Sequence, residues 1–494
     1  MEALRNLEPY LLWNHFDSLR RVPRPSRQEQ QVRAAIENWA GERQFRRRSD
    51  SYGNIVIEIP ASAGCEAAPA IVLQAHLDMV CERLPEVKFD FEREPITVRV
   101  EGDWVLASGT TLGADNGIGV AAALAIADDP TAVHGPLEIL LTVEEELGLR
   151  GALQLDGTIV HGRILLNLDS EDRSFYIGCA GAADNVGVFN LQPRVAVPSG
   201  CMGQVIVSGL RGGHSGLEII NNPANALKLL AMVLKALRDT DEDLRIFDLV
   251  GGTNRNAVPR DAHATLWVHE DREIAVAERV GAEEAALRNA FGDQESSLRI
   301  EWRRRPAQPD DGAWSRDDAD RIIDALLACP HGTLALSRSL ENLVETSNNL
   351  ACIRTCRQEV TVSTLARSSS NPSLAMISEQ IAAVFRLAGA TARVVSAYPG
   401  WQPNVDSPLL GRASAVYQRL FGTRPEIRAI HGGLECGVIG GRVGGLDAIS
   451  FGPTIEGAHT PKERVHIGSV AAFYRLLSGI LAEYARPRSS PPLA

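Results

Sequence analysis

Apolar residues follow two different spacings along the chain, and each spacing predicts a different kind of element. Over residues 28–42 they recur every three to four positions, which predicts an amphipathic helix. Short continuous apolar runs then appear at 54–59, 71–73, 137–143 and 163–168. Runs of this length are typical of strands that are buried on both faces of a parallel sheet. The first part of the chain therefore predicts alternating helices and buried strands.

The pattern changes after Gly181 and changes back near Tyr398. Small or apolar residues alternate with polar ones in 262–269, which predicts a half-exposed strand of an antiparallel sheet. Segments with helical periodicity at 223–238 and 273–291 predict helices beside it. We expect an α/β fold with a central, mostly parallel mixed sheet flanked by helices, interrupted by an inserted α+β domain.

This reading divides the chain into a first catalytic segment, 1–185, an inserted domain, 186–397, and a second catalytic segment, 398–494. Within the insertion, the elements predicted for 320–396 echo those of 202–302, which predicts an internal duplication. A stretch rich in Arg, Pro and Asp, 303–318, predicts a loop or linker between the two halves. The segment 485–494, rich in Pro, Ser and Arg, predicts a disordered tail.

Composition and charge narrow the class of protein. The 494 residues suffice for two or more domains, and the formal net charge of −12 argues against nucleic acid or an anionic membrane as a partner. No apolar run approaches the ~20 residues that span a bilayer, and the N-terminal residues lack the design of a signal peptide. The 8 cysteines are scattered, and no histidines stand near Cys352 and Cys356 to form a zinc knuckle. We expect reduced thiols and a cytoplasmic protein.

Residues that bind metals or transfer protons stand at the ends of the buried strands. The first of these strands leads to His76 and Asp78, which share one face of an extended chain because side chains alternate. Acids recur after the other strands and in one glycine-rich loop, and a histidine comes late in the chain: Asp115, Glu145, Glu146, Asp169 and His459. Because open α/β sheets gather their chemistry at the carboxyl ends of the strands, we expect these side chains on one rim.

Each of these features has a plainer explanation when it is taken alone. His76 by itself fits a core histidine, and the three consecutive acids of 144–146 fit a solvated helix start. The glycines of 109–119 suggest a phosphate loop, but no Lys-Ser/Thr pair follows them. The recurrence of acids at several strand ends favours a shared function over these separate explanations.

Histidines and carboxylates without thiolates suit Zn²⁺, Mn²⁺ or Co²⁺. A pair of such cations, about 3.5–4 Å apart, needs a shared anionic bridge, for which Asp115 is the candidate. The cations polarise a carbonyl and lower the pKa of bound water toward ~7. With three glutamates in a row, one can bind metal while its neighbour acts as general base.

The motifs as a set resemble those of the dizinc aminopeptidase, carboxypeptidase and aminoacylase group. They are His76-Leu77-Asp78, Gly113-Ala114-Asp115-Asn116-Gly117, Glu145-Glu146 with Gly148, Asn167-Leu168-Asp169 and Ala458-His459. Within that group, three further stretches resemble the cytosolic aminoacyl-histidine dipeptidases, which are carnosinase-like: 212–216, 431–437 and 457–465. The resemblance extends over nearly the whole chain.

This resemblance implies a role for each residue of the rim. His76, Asp115 and Asp169 would hold one metal, and Asp115, Glu146 and His459 the other. Asp78 would orient His76, which physical reasoning also favours because a second carboxylate fixes the tautomer of a ligating histidine. Glu145 would be the general base, and the peptide bond after Asp115 would be cis. Glu144 stands where the group has an aspartate, a difference that should not affect ligation.

The resemblance also makes the insertion a lid with substrate-binding residues. His214 would steady the tetrahedral oxyanion, while Asn256 and Arg367 would hold the substrate, Arg367 by a bidentate grip on its carboxylate. Judged from the residues alone, His214 fits equally a cap of the following helix, and Arg367 a surface position.

The implied activity is metal-dependent hydrolysis of small unblocked dipeptides, of the Xaa-His or carnosine-like kind, by two Zn²⁺ per subunit, with Co²⁺ or Mn²⁺ as alternatives. An N-acyl amino acid hydrolase built on the same site is the second reading. A catalytically silent relative would lack a ligand or the base, and this chain has all of them. The oligomeric state, including a homodimer in which His214 acts across subunits, stays open.

Overall fold

The computed structural model describes residues 4–306 and 312–486. The helices are α1 Tyr10–Leu19, α2 Gln30–Glu42, α3 Ala114–Asp128, α4 Arg150–Gln154, α5 Ala226–Thr240, α6 Glu273–Phe291, α7 Arg316–Ala328, α8 Asn371–Leu387, α9 Pro408–Phe421, α10 Glu435–Val443 and α11 Ile467–Ala485. The strands are β1 Arg46–Ser49, β2 Ile55–Ile59, β3 Ile71–His76, β4 Val98–Glu101, β5 Trp104–Ala107, β6 Leu137–Thr142, β7 Ile164–Asn167, β8 Phe175–Cys179, β9 Gly181–Asn190, β10 Cys201–Ser208, β11 Gly213–His214, β12 Arg245–Gly251, β13 Ala257–Val258, β14 Ala262–Val268, β15 Arg299–Arg305, β16 Gly332–Leu336, β17 Val344–Cys356, β18 Glu359–Ser368, β19 Thr391–Tyr398, β20 Ile427–Ile430, β21 Asp447–Ser450, β22 Ile455–Glu456 and β23 Arg464–His466.

These elements form two compact units. The first contains the described residues of 1–179, 401–429 and 433–494, and the second contains 180–400 and 430–432. Each unit has its own sheet, and the second interrupts the first in sequence. The roles expected for them, catalytic and lid, stay predictions.

The first unit is organised on an eight-stranded mixed sheet with the order β1-β2-β6-β3-β7-β21-β8-β20. The neighbours β6, β3, β7 and β21 run parallel, while antiparallel pairs lie on both sides of them. All six residues of β3 and all six of β6 are buried, as their continuous apolar runs predict. The predicted α/β class with a central mixed sheet is confirmed.

Helix α3 packs against β3 and is nearly all apolar, so most of its side chains are buried. Gly119 permits α3 to approach the chain just after β7, because a Cβ there would lie 2.4 Å from Asn116 Oδ1 and 2.6 Å from the carbonyl oxygen of Leu168. The helix therefore starts directly beside the end of β7, where Asp169 follows.

A small four-stranded sheet, β22-β23-β5-β4, is also part of the first unit. The hairpin β4–β5 has its turn at Gly102-Asp103. The second hairpin, β22–β23, pairs with β5 and carries the loop 457–463 at its tip. This hairpin is the element that holds His459.

The second unit contains a nine-stranded sheet, whose main path is β15-β10-β14-β12-β17-β18-β9-β19. All its ladders are antiparallel, which agrees with the expected α+β insertion. Helices α5 to α8 contribute to one cluster of buried apolar residues against this sheet.

The strand order within this sheet repeats. In the segment β10-α5-β12-β14-α6-β15, the strands lie side by side in the order β15-β10-β14-β12. Numbered along the chain, these are the fourth, first, third and second strands of the segment. The segment β9-α7-β17-β18-α8-β19 has the same order counted from the β19 edge. The two βαββαβ units meet where β12 pairs with β17, the second strand of each. The repeat from β10 to β15 is inserted in the chain between β9 and α7 of the other repeat, as an internal duplication would give.

The prediction of a loop over 303–318 is wrong at both ends. Strand β15 continues to Arg305, and helix α7 begins at Arg316, while 307–311 lie outside the described residues. β15 is an edge strand that is mostly exposed, so arginines there are compatible with a strand. Most of the expected tail also lies outside the described residues, since α11 ends at Ala485 and the description stops at 486.

Two further observations bear on the expected class. Over residues 4–306 and 312–486, no helix combines the length and hydropathy that crossing a membrane requires. All 8 cysteines lie in the described residues, and none of them forms a disulfide.

Candidate active site

His76 ends strand β3 and is almost fully buried. Its Nε2 atom lies 3.1 Å from Asp115 Oδ1 and 3.3 Å from Asp169 Oδ1. Its Nδ1 atom faces Asp78, at 3.3 Å from Oδ1. The side chains of His76 and Asp78, two positions apart, thus meet as an extended strand predicts. The two ring nitrogens of His76 face different acids.

His459 contacts the same group of acids from the β22–β23 hairpin. It has a left-handed backbone conformation, with φ of 64°. Its Nε2 atom lies 3.1 Å from Asp115 Oδ2 and 3.1 Å from Glu146 Oε1. About half of the His459 side chain is exposed, against 1% for His76.

Asp115 is shared between the two histidines, one carboxylate oxygen facing each. The donors therefore divide into two sets, one of His76, Asp115 and Asp169, the other of His459, Asp115 and Glu146. His76, Asp115 and Glu146 bring ligand atoms within 4.8 Å of one another and form a candidate metal site. Glu146 Oε1 faces His459 and Asp169 Oδ1 faces His76, and neither buried atom has a further hydrogen-bond partner among the described residues, so this donor set fits a pair of divalent cations.

The surrounding carboxylates favour positive charge at both His76 and His459. Burial by itself lowers the pKa of His76, but the carboxylates Asp169, Asp115 and Asp78 raise it well above its usual value. Hydrogen bonds to Asp115 and Glu146 raise the pKa of His459 to about 11. Burial raises the pKa of Asp169 to about 7; the acids Asp115 and Glu146 add to this increase, and His76 opposes it. The acids at the rim are thus poised to accept cations.

Asp78 also holds the loop that carries the three glutamates. Besides facing His76, its carboxylate accepts the backbone N–H groups of Glu145 and Glu146, at 3.0 and 3.2 Å, and the Ser26 hydroxyl at 2.7 Å. Burial alone would raise the pKa of Asp78, but the bonds from His76 and Ser26 lower it. Asp78 therefore stays a carboxylate that connects the end of β3 to the loop after β6.

The three glutamates of this loop point in different directions. They form a turn rather than the helix start that charge alone suggests. Glu144 accepts the Tyr52 hydroxyl at 3.2 Å on the surface side. Glu146 faces His459, while burial raises the pKa of Glu145 well above its usual value, with His76, Asp169 and Glu146 among its charged neighbours.

Glu463 is a residue of this site that the sequence analysis does not single out. Its carboxylate is buried and accepts the backbone N–H groups of four consecutive residues, 112–115, at 2.7, 2.9, 2.8 and 3.2 Å. Arg24 binds the other side of this loop through the carbonyl oxygen of Gly113, and also binds those of Leu77 and Asp78. The peptide bond between Asp115 and Asn116 is cis, as the resemblance implies. The only sequence signal for Glu463 is its place within the 457–465 stretch.

A second buried acid, Glu435, lies beneath the strand ends. Its Oε2 atom accepts Gln74 Nε2 at 2.5 Å and the Thr142 hydroxyl at 2.7 Å. Gln74 Oε1 in turn accepts Asn167 Nδ2 at 2.5 Å, so one polar layer joins β3, β6 and β7. Burial raises the pKa of Glu435 to about 7. The residue belongs to the 431–437 stretch, but its contacts could not be read from sequence.

The expected substrate-binding residues all lie in the second unit. His214 Nδ1 accepts the N–H groups of Gly216 and Leu217, at 3.2 and 3.0 Å, and so closes a turn. The alternative that it caps the following helix is wrong, because Asn225 is the N-cap of α5. Because Nδ1 is an acceptor, the ring proton of neutral His214 lies on Nε2, where it can be donated. Burial and the charge of Arg367 lower the pKa of His214, which favours the neutral form.

Arg367 is 4% exposed, so the alternative of a surface position is wrong. Its Nη2 atom donates to Asn256 Oδ1 at 2.9 Å, which brings these two expected residues together. His431 lies in the same unit, with Nε2 2.7 Å from the Ser347 hydroxyl. Burial, together with the charge of Arg367, lowers the pKa of His431 to about 3.

Comparison with known proteins places these motifs in a family. Residues 72–483 match the model of the peptidase family M20/M25/M40. The chain is 40% identical over 485 residues to the cytosol non-specific dipeptidase of Escherichia coli K12, covering 98% of this chain and 99% of the relative.

Solved structures agree with this match. The aminoacylhistidine dipeptidase of Vibrio alginolyticus superposes with a TM-score of 0.89 and 38% identity, over 97% of this chain and 98% of the other. The aminopeptidase PepT of Bacillus cereus has a TM-score of 0.57 at 16% identity, over 97% and 100% of the chains, and shows the fold alone. The family expected from the sequence motifs is therefore confirmed, and the chain belongs to the M20/M25/M40 family of peptidases.

Proposed function

We propose that this peptidase hydrolyses small unblocked dipeptides, including Xaa-His dipeptides, with a pair of Zn²⁺ ions held at the rim of the first sheet. One observation carries the proposal: Asp115 directs one carboxylate oxygen toward His76 and the other toward His459. His76, Asp115 and Asp169 would hold one cation, and His459, Asp115 and Glu146 the other. When bound, the cations supply charge that polarises the scissile carbonyl and makes water acidic enough to attack near neutral pH.

Glu145 acts as the general base in this proposal. Its carboxylate takes a proton from the attacking water and gives it to the leaving amine nitrogen. Its backbone N–H is fixed by Asp78, whose other contact orients His76, so base and ligand share one support. Co²⁺ or Mn²⁺ would satisfy the same oxygen and nitrogen donors.

The residues of the second unit provide substrate contacts. His214 Nε2 donates a hydrogen bond to the oxyanion that develops on the carbonyl, which a neutral imidazole can do because Nδ1 is occupied by backbone N–H groups. Arg367, fixed by Asn256, binds the terminal carboxylate of the dipeptide. In this proposal the contact favours substrates with a free C-terminus close to the scissile bond.

The names of the relatives support the substrate class and the location. One full-length relative is a dipeptidase described as cytosolic and non-specific, and a solved relative is an aminoacylhistidine dipeptidase. We therefore place this chain in the cytosol and expect it to accept several dipeptides, with Xaa-His among them.

A single substitution tests the assignment of the base. Glu145→Gln keeps the shape of the side chain but cannot accept a proton, so kcat for Gly-His or carnosine should fall by about 10²–10⁴-fold while zinc stays bound. Hydrolysis is followed by release of free histidine from the zinc-loaded protein.

Glu144→Gln is the matched control, because Glu144 faces Tyr52 in the same turn and should change kcat by less than about twofold. Full activity of Glu145→Gln would refute the base assignment. Activity toward N-acetyl amino acids, with none toward dipeptides, would instead identify an N-acyl amino acid hydrolase.

A further inference from the structure

Glu463 occupies an unusual position for a buried carboxylate. It is 2% exposed, and its two oxygens divide four backbone N–H groups, with Leu112 and Gly113 on Oε2 and Ala114 and Asp115 on Oε1. Among the described residues, its hydrogen bonds go to backbone N–H groups and to no side chain of the reaction described above. The contacts instead fix a stretch of backbone that ends at the shared carboxylate.

The charge of Glu463 is matched by its surroundings. The loop it binds leads into α3, in which Asp115 and Asn116 have non-helical backbone angles, so it is the four N–H groups of this irregular stretch that face the carboxylate. Gly113 adopts a left-handed conformation, with φ of 69°, which turns successive N–H groups toward one point. Arg24 approaches the same glycine from the other side, and a Cβ there would lie 2.5 Å from its Nη2 atom.

Glu463 also lies on the hairpin that carries His459. Strand β23 fixes the base of this hairpin by pairing with both β22 and β5, but the loop 457–463 extends beyond the ladder. Within the loop, the Thr460 hydroxyl binds the Gly457 carbonyl oxygen at 2.7 Å, which only closes the loop on itself. Besides the contact of His459 with Asp115, the carboxylate of Glu463 joins this loop to the backbone of the Asp115 segment.

The other half of the site has independent support. His76 and Asp169 follow adjacent parallel strands, and Arg24 would still hold the carbonyl oxygens of Leu77 and Gly113 if Glu463 were changed. Loss of Glu463 should therefore free the His459 loop relative to Asp115 more than it disturbs the His76 side.

We propose that Glu463 is a positioning residue that sets the distance between His459 and the shared Asp115, and so governs occupancy of the His459 half of the metal pair. The inference rests on the proposed function, because it assumes that His459 and Asp115 are ligands. Glu463 acts on the backbone of 112–115 and on its own loop, and takes no part in the proton transfer.

The test uses the full-length protein carrying Glu463→Gln, titrated with Zn²⁺ under competition from a chelator. The amide can accept through one oxygen only and sets its NH₂ group against backbone N–H donors. We expect one ion to bind as in the unmodified protein and the second to bind about 10–100-fold more weakly, the range found when outer contacts of metal ligands are removed. Glu456→Gln is the control, since this exposed acid of the same hairpin pairs only with Arg464 among the described residues and should leave both affinities unchanged.

A second readout does not involve metal. In the zinc-free protein, hydrogen exchange at the amides of 112–115 should accelerate in Glu463→Gln and stay unchanged in Glu456→Gln, because only Glu463 accepts these N–H groups. If Glu463→Gln does not fold, Glu463→Asp replaces it: the charge is kept, but the shorter side chain cannot reach all four groups. The same two readouts should then change in the same direction.

The outcomes separate the two proposals. Two ions bound with unchanged affinity by a folded Glu463 variant would overturn the role of Glu463 and leave the proposed function standing. Equal weakening of both ions would also overturn it, because the effect would then be general rather than confined to the His459 half. An unmodified protein that binds no zinc would refute the metal centre itself, and this inference with it.

Discussion

His76 and His459 face the same carboxylate, but the fold supports them in opposite ways. His76 ends a strand whose six residues are all buried, between two parallel neighbours, and its second ring nitrogen is backed by Asp78. His459 lies in a hairpin loop, about half exposed, with a left-handed backbone. One half of the candidate centre is therefore part of the core, while the other is attached to it by a loop. We infer that the two halves differ in rigidity and in their importance for folding.

The largest expected effect comes from Asp115→Asn, because Asp115 belongs to both halves. An amide keeps the size of the side chain but cannot offer an anionic oxygen to each of two cations. We expect zinc binding at both positions to weaken and kcat for Gly-His to fall by at least about 10³-fold. Zinc stoichiometry and kcat are measured on the same sample. If two ions remain bound, the role of Asp115 as the bridge is wrong.

The comparison is sharpened by His76→Ala and His459→Ala in the zinc-free protein. Removal of His76 leaves the buried carboxylates of Asp78, Asp115 and Asp169 without their shared partner, which should cost about 3 kcal/mol of unfolding free energy. Removal of the half-exposed His459 should cost less than about 1 kcal/mol.

Urea unfolding of both variants, side by side with the unmodified protein, gives these values from the midpoint and slope. Zinc titration then shows whether each variant has lost one half of the pair. Similar losses of stability in the two variants would show that the halves are equally integrated into the core, contrary to the comparison.

The smallest effect is expected from Thr460→Ala. The Thr460 hydroxyl closes the His459 loop by one hydrogen bond to Gly457, and such bonds contribute about 0.5–1.5 kcal/mol. We expect the second zinc ion to leave a few-fold faster when chelator is added, with release of the first unchanged. Ser51→Ala, on an exposed bend in 51–53, is the control. A change in both release rates would indicate that the loop supports the whole centre.

The buried half of the site is the half that sequence predicts well. Apolar runs before His76 and Asp169 identify strands, and parallel strands bring their carboxyl ends together. His459 follows no such run, so only its recurrence with the acids and the family resemblance indicate its place at the rim. Glu463 and Glu435 carry no periodic signal at all, because their partners are backbone groups and polar side chains of distant segments.

Contacts with distant segments also explain which strands the sequence pattern does not predict. Strand β9 begins with Gly-Ala-Ala-Asp-Asn-Val and contains no long apolar run, and its Asp184 and Asn185 are buried. A strand inside a sheet can bury polar residues when charged partners reach it, as Arg255 reaches Asp184. Local pattern cannot show such partners. The sequence pattern places the end of β15 too early for the opposite reason, since arginines on an exposed edge strand have the composition of a loop.

The nesting of one βαββαβ unit inside the other affects how the chain can be made. The inner copy, from β10 to β15, is a contiguous stretch that can assemble as soon as it leaves the ribosome. Strand β9 emerges earlier, yet its partners β18 and β19 are translated more than 150 residues later. During that interval both edges of β9 lack their neighbours, as do those of β8, whose neighbours β20 and β21 are translated later still, so both strands expose unpaired backbone groups in the nascent chain.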